Sequence, residues 1–526
     1  MPVPEQRCDF DRYTSRPLYA YHEEPARRTP IINDVEVIVV GGSQSGCAAA
    51  ICAARHGARV MLVERYGFLG GQSISSSVVQ WEKRAFIDNF GPVATRGIAK
   101  EMLDRILAKG DSDGLWFTPP GCPEMRDGEE WLNPDAIVMT LIEMCEEAGV
   151  ELLFHTAATD VIMQQTEGAL PQLTGAIFEN KTGRFAVKAK IVIDATADLD
   201  LVWRAIGEDG CGMREPAKRM GAGYYVWYGD VDSPRWVEYY LGRQGYRGYP
   251  DPMRFPDKVR DHIREGKLVY FFGMQEIVAQ ARAIGLMKPV DEALAQVDLQ
   301  LRDPLYSKYV GRNRWCVGFG ALQGLNHLDT WQLTRFEILR TKLGNLMLPV
   351  LRQAPGWENC YIARTNIHIG GREGRYLKAV TMVTQDRIFS PQNATAGTSP
   401  DTIGRSGGHD AGKNRLHTAY PIPYGAIVPE KLDGVLCCTR AVGAQPPVAL
   451  NAHRGIVPTI VVGQAAGTAA ALAIQENRQP RDVDLPALQE ALRRDNVVLD
   501  VESVTYDWPL PEPGQEGTVG QIDRRE

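Results

Sequence analysis

The sequence predicts an α/β protein whose main domain is built around a parallel sheet, and three observations support this prediction. First, an apolar strand from Val35, an alanine-rich helix closing on Gly57 and a second apolar strand ending at Glu64 form a βαβ unit of thirty residues. Second, a strand, a glycine-bearing turn and a small-residue helix recur after residue 428. Third, residues 206–427 between them are rich in aromatic residues and arginine and lack this alternation.

The order of these segments predicts a discontinuous main domain interrupted by a mixed α+β insertion. Continuous apolar strands such as VEVIVV and RVMLVE are typical of a parallel sheet that is covered on both faces. Helical spacing at 98–108 and 134–148, followed by strand patterns between 150 and 196, completes the first part. The predicted parts are an N-terminal arm at 1–33, the first half of the main domain at 34–205, the insertion at 206–427, the second half at 428–504 and a C-terminal tail at 505–526.

The charge balance and the cysteine pattern indicate which partners the protein could bind and in which cell compartment it is found. With 58 Lys+Arg against 65 Asp+Glu, the 526-residue chain has a net charge of -7, which gives no general attraction to nucleic acid or anionic membranes. We therefore expect neither as a partner. The first thirty residues contain no apolar run typical of a signal peptide, and the ten cysteines are scattered. These features predict a cytoplasmic protein with reduced thiols, and the apolar stretch 456–474 fits a buried helix.

The turn after the first strand carries a dinucleotide-binding pattern. In such a turn the first glycine bends the chain, the second lets the backbone approach a pyrophosphate, and the third allows close helix–strand packing. Gly41 and Gly46 match the first and third roles, and Ser43 stands where the second glycine is usual. The helix N-terminus that follows is a favourable place for phosphate. Glu64 ends the second strand, where a carboxylate can accept hydrogen bonds from ribose hydroxyls.

These segments together resemble a known family, the FAD-dependent oxidoreductases of the glutathione-reductase-like flavoprotein superfamily, in a branch related to the fumarate reductase flavoproteins. The resemblance rests on VIVVGGSQSGCAAAICAARHGARVMLVERYGFLGGQS, IVIDATADLDL, TRFEILRTKLGNLMLPVLRQAPGWENCYI, GGREGRYL and PTIVVGQAAGTAAALA. It implies a Rossmann-like FAD-binding domain, with an inserted substrate or cap domain. The sequence departs from the family pattern at Ser43, at Ala197 and at Thr439–Arg440.

The resemblance also implies which residues hold FAD. Gly70 and Gly71 are expected close to the diphosphate, and the turn at Ala195 and Thr196 close to the nucleotide. A helix beginning near Thr459 carries small residues that let its start approach a planar ligand, although ordinary helix packing would use the same residues. The full set of expected cofactor residues is Gly41, Gly42, Ser43, Ser45, Gly46, Glu64, Arg65, Gly70, Gly71, Gln72, Ala195, Thr196, Arg440, Pro458, Thr459 and Gly463.

Candidate catalytic residues lie in RTNIHIGGREGRYLKAV, where His368 precedes a double glycine and Arg372 and Arg375 follow it. Guanidinium groups bind carboxylates through two parallel hydrogen bonds, and an imidazole can act as acid or base near neutral pH. The alternative interpretation is that Arg372 and Glu373 belong to a structural ion-pair network. His453 and Arg454, just before the glycine-bearing helix, form a second candidate pair for which an ordinary loop role is the alternative.

The predicted function is oxidation of a small or medium-sized polar molecule, which could be anionic, by hydride transfer to the flavin. The alternative is a flavin-dependent monooxygenase, and a tRNA-modifying flavoprotein or a non-catalytic FAD-binding protein is less favoured. Cys47 and Cys52 lie about 140° apart around one helix, so they do not form a redox disulfide. No second strand–GxGxxG–helix exists for a nicotinamide cofactor, and no histidine or cysteine cluster has metal-ligand spacing. We therefore expect FAD as the cofactor and no metal.

Overall fold

The computed structural model describes residues 16–17, 20, 22, 24–82, 95–110, 112, 129–243, 247–249, 256–267, 269–297, 305–322, 324–388, 390, 400–406 and 419–500. These residues form two compact units, which are named here by their sheets. The parallel-sheet unit comprises Thr29–Gly71, Val79–Met213 and Arg375–Glu526. The antiparallel-sheet unit comprises Met1–Arg28, Gln72–Val78 and Arg214–Gly374.

The described part of the chain contains nineteen strands. They are β1 (Ile31–Val40), β2 (Val60–Val63), β3 (Gln80–Glu82), β4 (Glu129–Trp131), β5 (Glu151–Leu153), β6 (Ala157–Gln164), β7 (Gln172–Asn180), β8 (Gly183–Asp194), β9 (Cys211–Met213), β10 (Ala222–Gly229), β11 (Arg247–Tyr249), β12 (Tyr270–Phe272), β13 (Tyr306–Tyr309), β14 (Trp315–Leu322), β15 (Tyr361–Thr365), β16 (Arg375–Leu377), β17 (Thr402–Ser406), β18 (Tyr420–Pro423) and β19 (Val435–Cys437).

The α-helices range from single turns to a helix of 20 residues. They are α1 (Gln44–Arg55), α2 (Gln72–Ser75), α3 (Gly97–Ala108), α4 (Pro134–Glu147), α5 (Asp200–Ile206), α6 (Ser233–Leu241), α7 (Pro256–Arg264), α8 (Gln275–Ala283), α9 (Lys288–Ala295), α10 (Thr330–Leu346), α11 (Leu348–Leu351), α12 (Gln385–Ile388), α13 (Val448–His453), α14 (Ile456–Gln475) and α15 (Leu485–Arg494).

The central sheet of the parallel-sheet unit has the strand order β5-β2-β1-β8-β7-β6, and β19 also pairs with β8. Strands β5, β2, β1, β8 and β19 are parallel, whereas β7 pairs antiparallel with both β8 and β6. The predicted α/β class and βαβ unit are therefore confirmed. Strand β1 begins at Ile31, four residues before the predicted start, because the residues before Val35 already pair with β8 across an irregularity in register.

The predicted insertion and the observed unit differ in their limits. The antiparallel-sheet unit ends at Gly374 rather than near residue 427. Strand β16 follows directly and pairs with β9 in the parallel-sheet unit. Strand β17 of the same unit packs on α14, where a Cβ on Gly404 would lie 2.3 Å from Cγ1 of Val461. A change in composition along the sequence does not reveal such pairings between distant segments. The predicted end of the insertion therefore differs from the observed end of the antiparallel-sheet unit.

The antiparallel-sheet unit contains a six-stranded sheet in the order β11-β12-β13-β14-β10-β15. Its core is aromatic: Trp236, Trp315 and Trp357 are each at most 1% exposed. The ring of Tyr240 stacks on that of Phe271 with centroids 3.8 Å apart. Large rings bury much apolar surface per residue, which accounts for the aromatic composition noted between residues 206 and 427.

Helices α1 and α14 cross at very short range in the parallel-sheet unit. A Cβ on Gly463 would lie 2.2 Å from the Ser45 carbonyl oxygen, and one on Gly467 would lie 2.1 Å from that of Ala49. Helix α14 is long and apolar enough to cross a membrane by length and composition, but 89% of that stretch is buried inside the protein. It is a core helix that packs backbone to backbone against α1.

We expect Gly467→Ala to destabilise the protein by roughly 1 to 3 kcal/mol, because the added methyl group overlaps a backbone carbonyl that cannot move aside alone. At a helix position where the added methyl group has space, replacing glycine with alanine stabilises the protein by about 0.5 to 1 kcal/mol. The free energy of unfolding in urea measures the effect. Gly242→Ala is the matched control, since its Cβ meets the nearest atom at an ordinary 3.4 Å. Equal stability of Gly467→Ala and the wild type would show that the two helices have room between them.

Candidate functional site

The turn between β1 and α1 is shaped by its glycines. Gly41 has a φ of 112°, and a Cβ there would lie 2.5 Å from the Ala195 carbonyl oxygen. A Cβ on Gly46 would lie 1.9 Å from the carbonyl oxygen of Gly41. Ser43 is the N-cap of α1, and its hydroxyl accepts from the Gly46 amide at 3.4 Å. Serine thus replaces the usual glycine at a position where its side chain can cap the helix.

Glu64 lies directly after β2 and is tied to this turn. Its Oε2 accepts from the Gly42 amide at 2.6 Å, and its Oε1 accepts from the Tyr66 amide at 2.9 Å. The residue is 8% exposed. A carboxylate has about four lone-pair sites, so these two bonds leave acceptor capacity for ribose hydroxyls. The ribose role of Glu64 stays a prediction, and its structural role in fixing the glycine turn was not foreseen from the sequence.

Other predicted cofactor residues of the parallel-sheet unit surround the same turn. The Gly70 amide donates to the Gly42 carbonyl at 2.8 Å, and a Cβ on Gly71 would lie 3.0 Å from Cβ of Ser43. Ser45 is buried beside Ser43, with their hydroxyl oxygens 2.9 Å apart. Since the chain turns tightly there and α1 begins directly after it, these residues suit a dinucleotide diphosphate.

The remaining predicted cofactor residues differ in what surrounds them. Arg65 is exposed and lies over the Tyr66 ring, with 4.8 Å from Cζ to the centroid. Gln72 belongs to the antiparallel-sheet unit, where its Nε2 donates to the Gly371 carbonyl at 2.7 Å. Thr459 donates its hydroxyl to the Ile456 carbonyl at 2.6 Å in the first turn of α14, next to buried Pro458.

Gly463 has a clear reason to be glycine that does not involve a ligand. Its small size is required by the α1–α14 crossing described above. The helix-packing alternative therefore accounts for this residue, and a direct cofactor contact at Gly463 stays a prediction.

The loop after β8 is organised by Asp194. This fully buried carboxylate accepts from the hydroxyl of Thr196 at 2.6 Å and from the amides of Leu201 and Val202 at 3.0 and 3.1 Å. Burial opposes its ionisation and raises the pKa of Asp194 to about 6. The Ala195 amide donates to the Val40 carbonyl at 2.9 Å, which holds this loop beside the glycine turn.

Two predicted site arginines are bound to this same loop. Arg375 donates to the Asp198 carbonyl at 3.0 Å and to Asp200 at 2.9 Å, and its Cζ lies 4.7 Å from the ring centroid of Trp203. Arg440 donates to the Asp198 carboxylate at 2.8 Å. These contacts give Arg375 a structural role that was not predicted. Its catalytic role stays a prediction.

The histidine of the second candidate pair, His453, is fully buried at the end of α13. Its Nδ1 lies 2.7 Å from the hydroxyl oxygen of Tyr420, a residue that sequence reasoning did not single out. Burial lowers the pKa of His453 to about 4, so the ring is neutral at physiological pH. Arg454 is partly buried. A neutral imidazole can hydrogen bond but does not add a charge to this part of the unit.

His368 lies in the antiparallel-sheet unit beside a carboxylate. Its Nδ1 is 2.5 Å from Oε1 of Glu337, a residue of α10. The same oxygen accepts from the Ile369 amide at 2.8 Å. Burial opposes ionisation of Glu337, but the hydrogen bonds from His368 and Arg340 outweigh it and lower its pKa. The carboxylate therefore favours the tautomer with the proton on Nδ1, which leaves Nε2 as the basic nitrogen. The His368 side chain is 24% exposed.

Arg340 and Glu373 complete this region, and the role of Arg340 was not predicted. Arg340, one turn after Glu337, donates from Nη2 to the Ile367 carbonyl at 2.6 Å and also to the Asn366 carbonyl. Glu373 accepts two bonds from Arg214, at 2.6 and 2.5 Å, and its side chain is fully buried. The acidic residue of the GGREGR segment is therefore structural, as one alternative held.

Arg372, the third predicted residue of this segment, lies near Gly223 of β10, where a Cβ would meet its Nη2 at 3.5 Å. The structure thus brings His368 and Arg372 into one unit and places Arg375, His453 and Arg454 in the other. Sequence reasoning missed Glu337, although its three-residue spacing from Arg340 on one helix was a usable signal. Across the described segments, no three His, Cys, Asp or Glu side chains are grouped to hold a metal ion.

Comparison with known proteins gives distant relatives. Thiamine thiazole synthase of Aeropyrum pernix is 27% identical over 211 residues, which cover 39% of this chain and 64% of that protein. The chain thus matches just under two thirds of the length of that relative. A geranylgeranyl bacteriochlorophyll reductase-like protein of Thermoplasma acidophilum has a TM-score of 0.40 at 15% identity, covering 88% of this chain and 84% of that one. The myxobacterial chondrochloren halogenase has a TM-score of 0.43 at 14% identity, covering 88% and 79%.

A family model gives the assignment directly. It is described as FAD dependent oxidoreductase and matches residues 36–492, which include the glycine turn, Glu64, the GGREGR segment and α14. The predicted cofactor is confirmed by this match. The chain belongs to the family of FAD dependent oxidoreductases.

Proposed function

We propose that the protein oxidises a small or medium-sized polar organic molecule, with His368 as the proton acceptor. The observation that carries the proposal is the 2.5 Å contact between Nδ1 of His368 and Glu337. A carboxylate that holds one imidazole nitrogen orients the ring and stabilises the imidazolium that forms when the other nitrogen takes a proton. When bound, FAD supplies an acceptor for the hydride that the substrate loses.

The proposed roles of the chain's own residues follow from their contacts. Nε2 of His368 takes a proton from an O–H, N–H or C–H group of the substrate. Glu337 positions the imidazole, and Arg340 fixes the backbone that carries it. In the parallel-sheet unit, the glycine turn receives the FAD diphosphate and Glu64 accepts from the ribose hydroxyls. An anionic group on the substrate would suit Arg372, whose planar fork binds carboxylates.

We expect Glu64→Gln to weaken FAD binding about tenfold or more. The change removes charge-assisted hydrogen bonds of roughly 1.5 to 3 kcal/mol while keeping the shape of the side chain. Fluorescence titration of the FAD-free protein with FAD measures the dissociation constant. Glu36→Gln is the control, since Glu36 accepts from the Arg59 amide at 3.1 Å and does not contact the glycine turn. A dissociation constant equal to that of the wild type would refute the ribose role.

We expect His368→Ala to slow reduction of the flavin by substrate about 10² to 10⁴ times, because the proton acceptor is lost. A screen for compounds that bleach the flavin without oxygen first supplies the substrate, and stopped-flow absorbance then gives the rate. FAD content should stay normal. Glu238→Gln is a control, since Glu238 pairs with Arg260 on the surface. A wild-type rate in His368→Ala would remove His368 from the mechanism and direct attention to His453 and Arg454.

Glu337→Gln should slow the same rate, because the imidazole loses the carboxylate that holds its Nδ1. FAD content should again stay normal. A wild-type rate in Glu337→Gln would mean that Glu337 serves only the fold. Oxygen consumption with stoichiometric hydrogen peroxide would identify an oxidase, whereas transfer of oxygen into the product would favour the monooxygenase alternative.

We also propose a reducing, cytoplasmic setting, and we expect all ten cysteines to titrate as thiols in denatured protein that was never exposed to reductant. The eight cysteines among the described residues are buried and form no disulfides with one another. Burial raises the pKa of thiols such as Cys52 and Cys211, so these groups should react slowly before denaturation. A count of eight or fewer thiols would reveal a disulfide and contradict this proposal.

A further inference from the structure

The side chains of Tyr225 and Arg372 meet beside a glycine in the antiparallel-sheet unit. A Cβ on Gly223 of β10 would lie 3.5 Å from Nη2 of Arg372, and 3.2 and 3.6 Å from Cε2 and Oη of Tyr225. These are the three atoms nearest to that point, apart from Gly223 itself and its two chain neighbours. Both polar atoms lie within 3.6 Å of one point, so their separation is less than twice that distance.

Backbone hydrogen bonds fix the two residues relative to each other. Gly223 and Gly370 donate their amides to each other's carbonyl groups at 2.8 and 2.9 Å. Tyr225 lies two residues after Gly223, and Arg372 lies two residues after Gly370. Arg372 is partly exposed and Tyr225 is 7% exposed. The pair is therefore held by the backbone on both sides and lies at the edge of the packed interior.

Tyr225 belongs to the face of the sheet opposite the aromatic core. Its neighbours Tyr224 and Val226 both pack in that core, and successive side chains of a strand point to opposite faces. The register between β10 and β14 is irregular between Gly223 and Tyr225. Such irregularities redirect a side chain and are frequent next to active sites.

The charges around the pair favour an anion. The six strands of this sheet contain three basic residues and no Asp or Glu, although acidic residues outnumber basic ones in the whole chain. Glu373, which follows Arg372 in the sequence, accepts two hydrogen bonds from Arg214. Since the charge of Glu373 is compensated by Arg214, it does not cancel the charge of Arg372.

A tyrosine hydroxyl beside a guanidinium group is suited to a carboxylate. The guanidinium fork can donate to both carboxylate oxygens, and the hydroxyl can donate to a further lone pair. Charge-assisted hydrogen bonds of about 2.5 to 2.9 Å to the two oxygens of one carboxylate can span the separation of Oη and Nη2. A neutral amide offers one acceptor oxygen and turns an N–H group towards these donors, so it fits less well.

From this arrangement we propose that Tyr225 and Arg372 form a carboxylate-binding pair, with Tyr225 as a substrate-recognition residue. The inference rests on the proposed function, since it takes the bound molecule to be the substrate that is oxidised. It narrows the substrate class from polar molecules in general to carboxylic acids, which bind as carboxylates.

Acetate and acetamide test this proposal, because they have the same shape and differ in charge. Titration of the FAD-bound protein, followed by saturation-transfer NMR, gives the dissociation constant of each probe. We expect the wild type to bind acetate more tightly than acetamide. Tyr225→Phe, which removes only the hydroxyl, should weaken acetate binding about tenfold or more. Tyr361→Phe is the matched control, since Tyr361 of the same sheet is 55% exposed, and it should bind acetate as the wild type does.

Two further variants test the geometry of the pair while FAD content checks that each protein is folded. Gly223→Ala keeps both polar groups but places a methyl group between them, so it should also weaken acetate binding. Arg372→Lys keeps the charge and loses the fork, and it should weaken acetate binding too. The lysine variant serves as the test if Gly223→Ala does not fold.

Acetate binding that is equal in the wild type and Tyr225→Phe, or absent in the wild type, would overturn the recognition role and leave the pair as a packing contact. Slow flavin reduction in His368→Ala would then still support the proposed function. Conversely, acetate binding that depends on Tyr225, together with a wild-type rate in His368→Ala, would support the carboxylate-binding pair and remove His368 from the mechanism.

Discussion

The close approach of backbones around the first helix is the constraint on which the parallel-sheet unit depends. Four contacts leave no space for a Cβ atom, and each is met by glycine. They are Gly41 with the Ala195 carbonyl, Gly46 with the Gly41 carbonyl, Gly463 with the Ser45 carbonyl and Gly467 with the Ala49 carbonyl. Together they bring β1, the loop after β8 and α14 against α1, so the dinucleotide turn and the late core helix are parts of one packed structure.

Several charged residues near these glycine contacts form hydrogen bonds and ion pairs that hold the loop after β8. Asp194 caps α5 from a fully buried position, and Asp198 receives Arg440. Arg375 lies between Asp200 and the face of Trp203. Charge-assisted bonds in buried surroundings are strong only when both partners are well placed. The loop after β8 is therefore organised by ion pairs from distant segments, and this explains why arginines that stand close to conspicuous glycines need not contact a substrate.

The parts of the structure that the sequence predicted are those encoded locally. Strand β1, helix α1 and strand β2 could be predicted from a continuous apolar pattern and turn glycines within thirty residues. The position of Glu64 directly after the second strand could be predicted from the same pattern. The contacts that could not be predicted join residues far apart. Glu337 reaches His368 across 31 residues, and Tyr420 reaches His453 across 33. No periodic pattern in the sequence indicates such side-chain contacts, because they depend on how entire helices and strands pack against one another.

The crossing of α1 and α14 also has a consequence for synthesis of the chain. Ala49 and Gly467 touch in the folded protein but are separated by about 400 residues of sequence. At a translation rate of roughly 5 to 20 residues per second, α14 is synthesised on the order of 20 to 80 seconds after α1, the helix that it covers. Throughout that interval the nascent polypeptide displays an alanine-rich, apolar surface at the ribosome. That surface stays uncovered until α14, which ends at Gln475, has been synthesised.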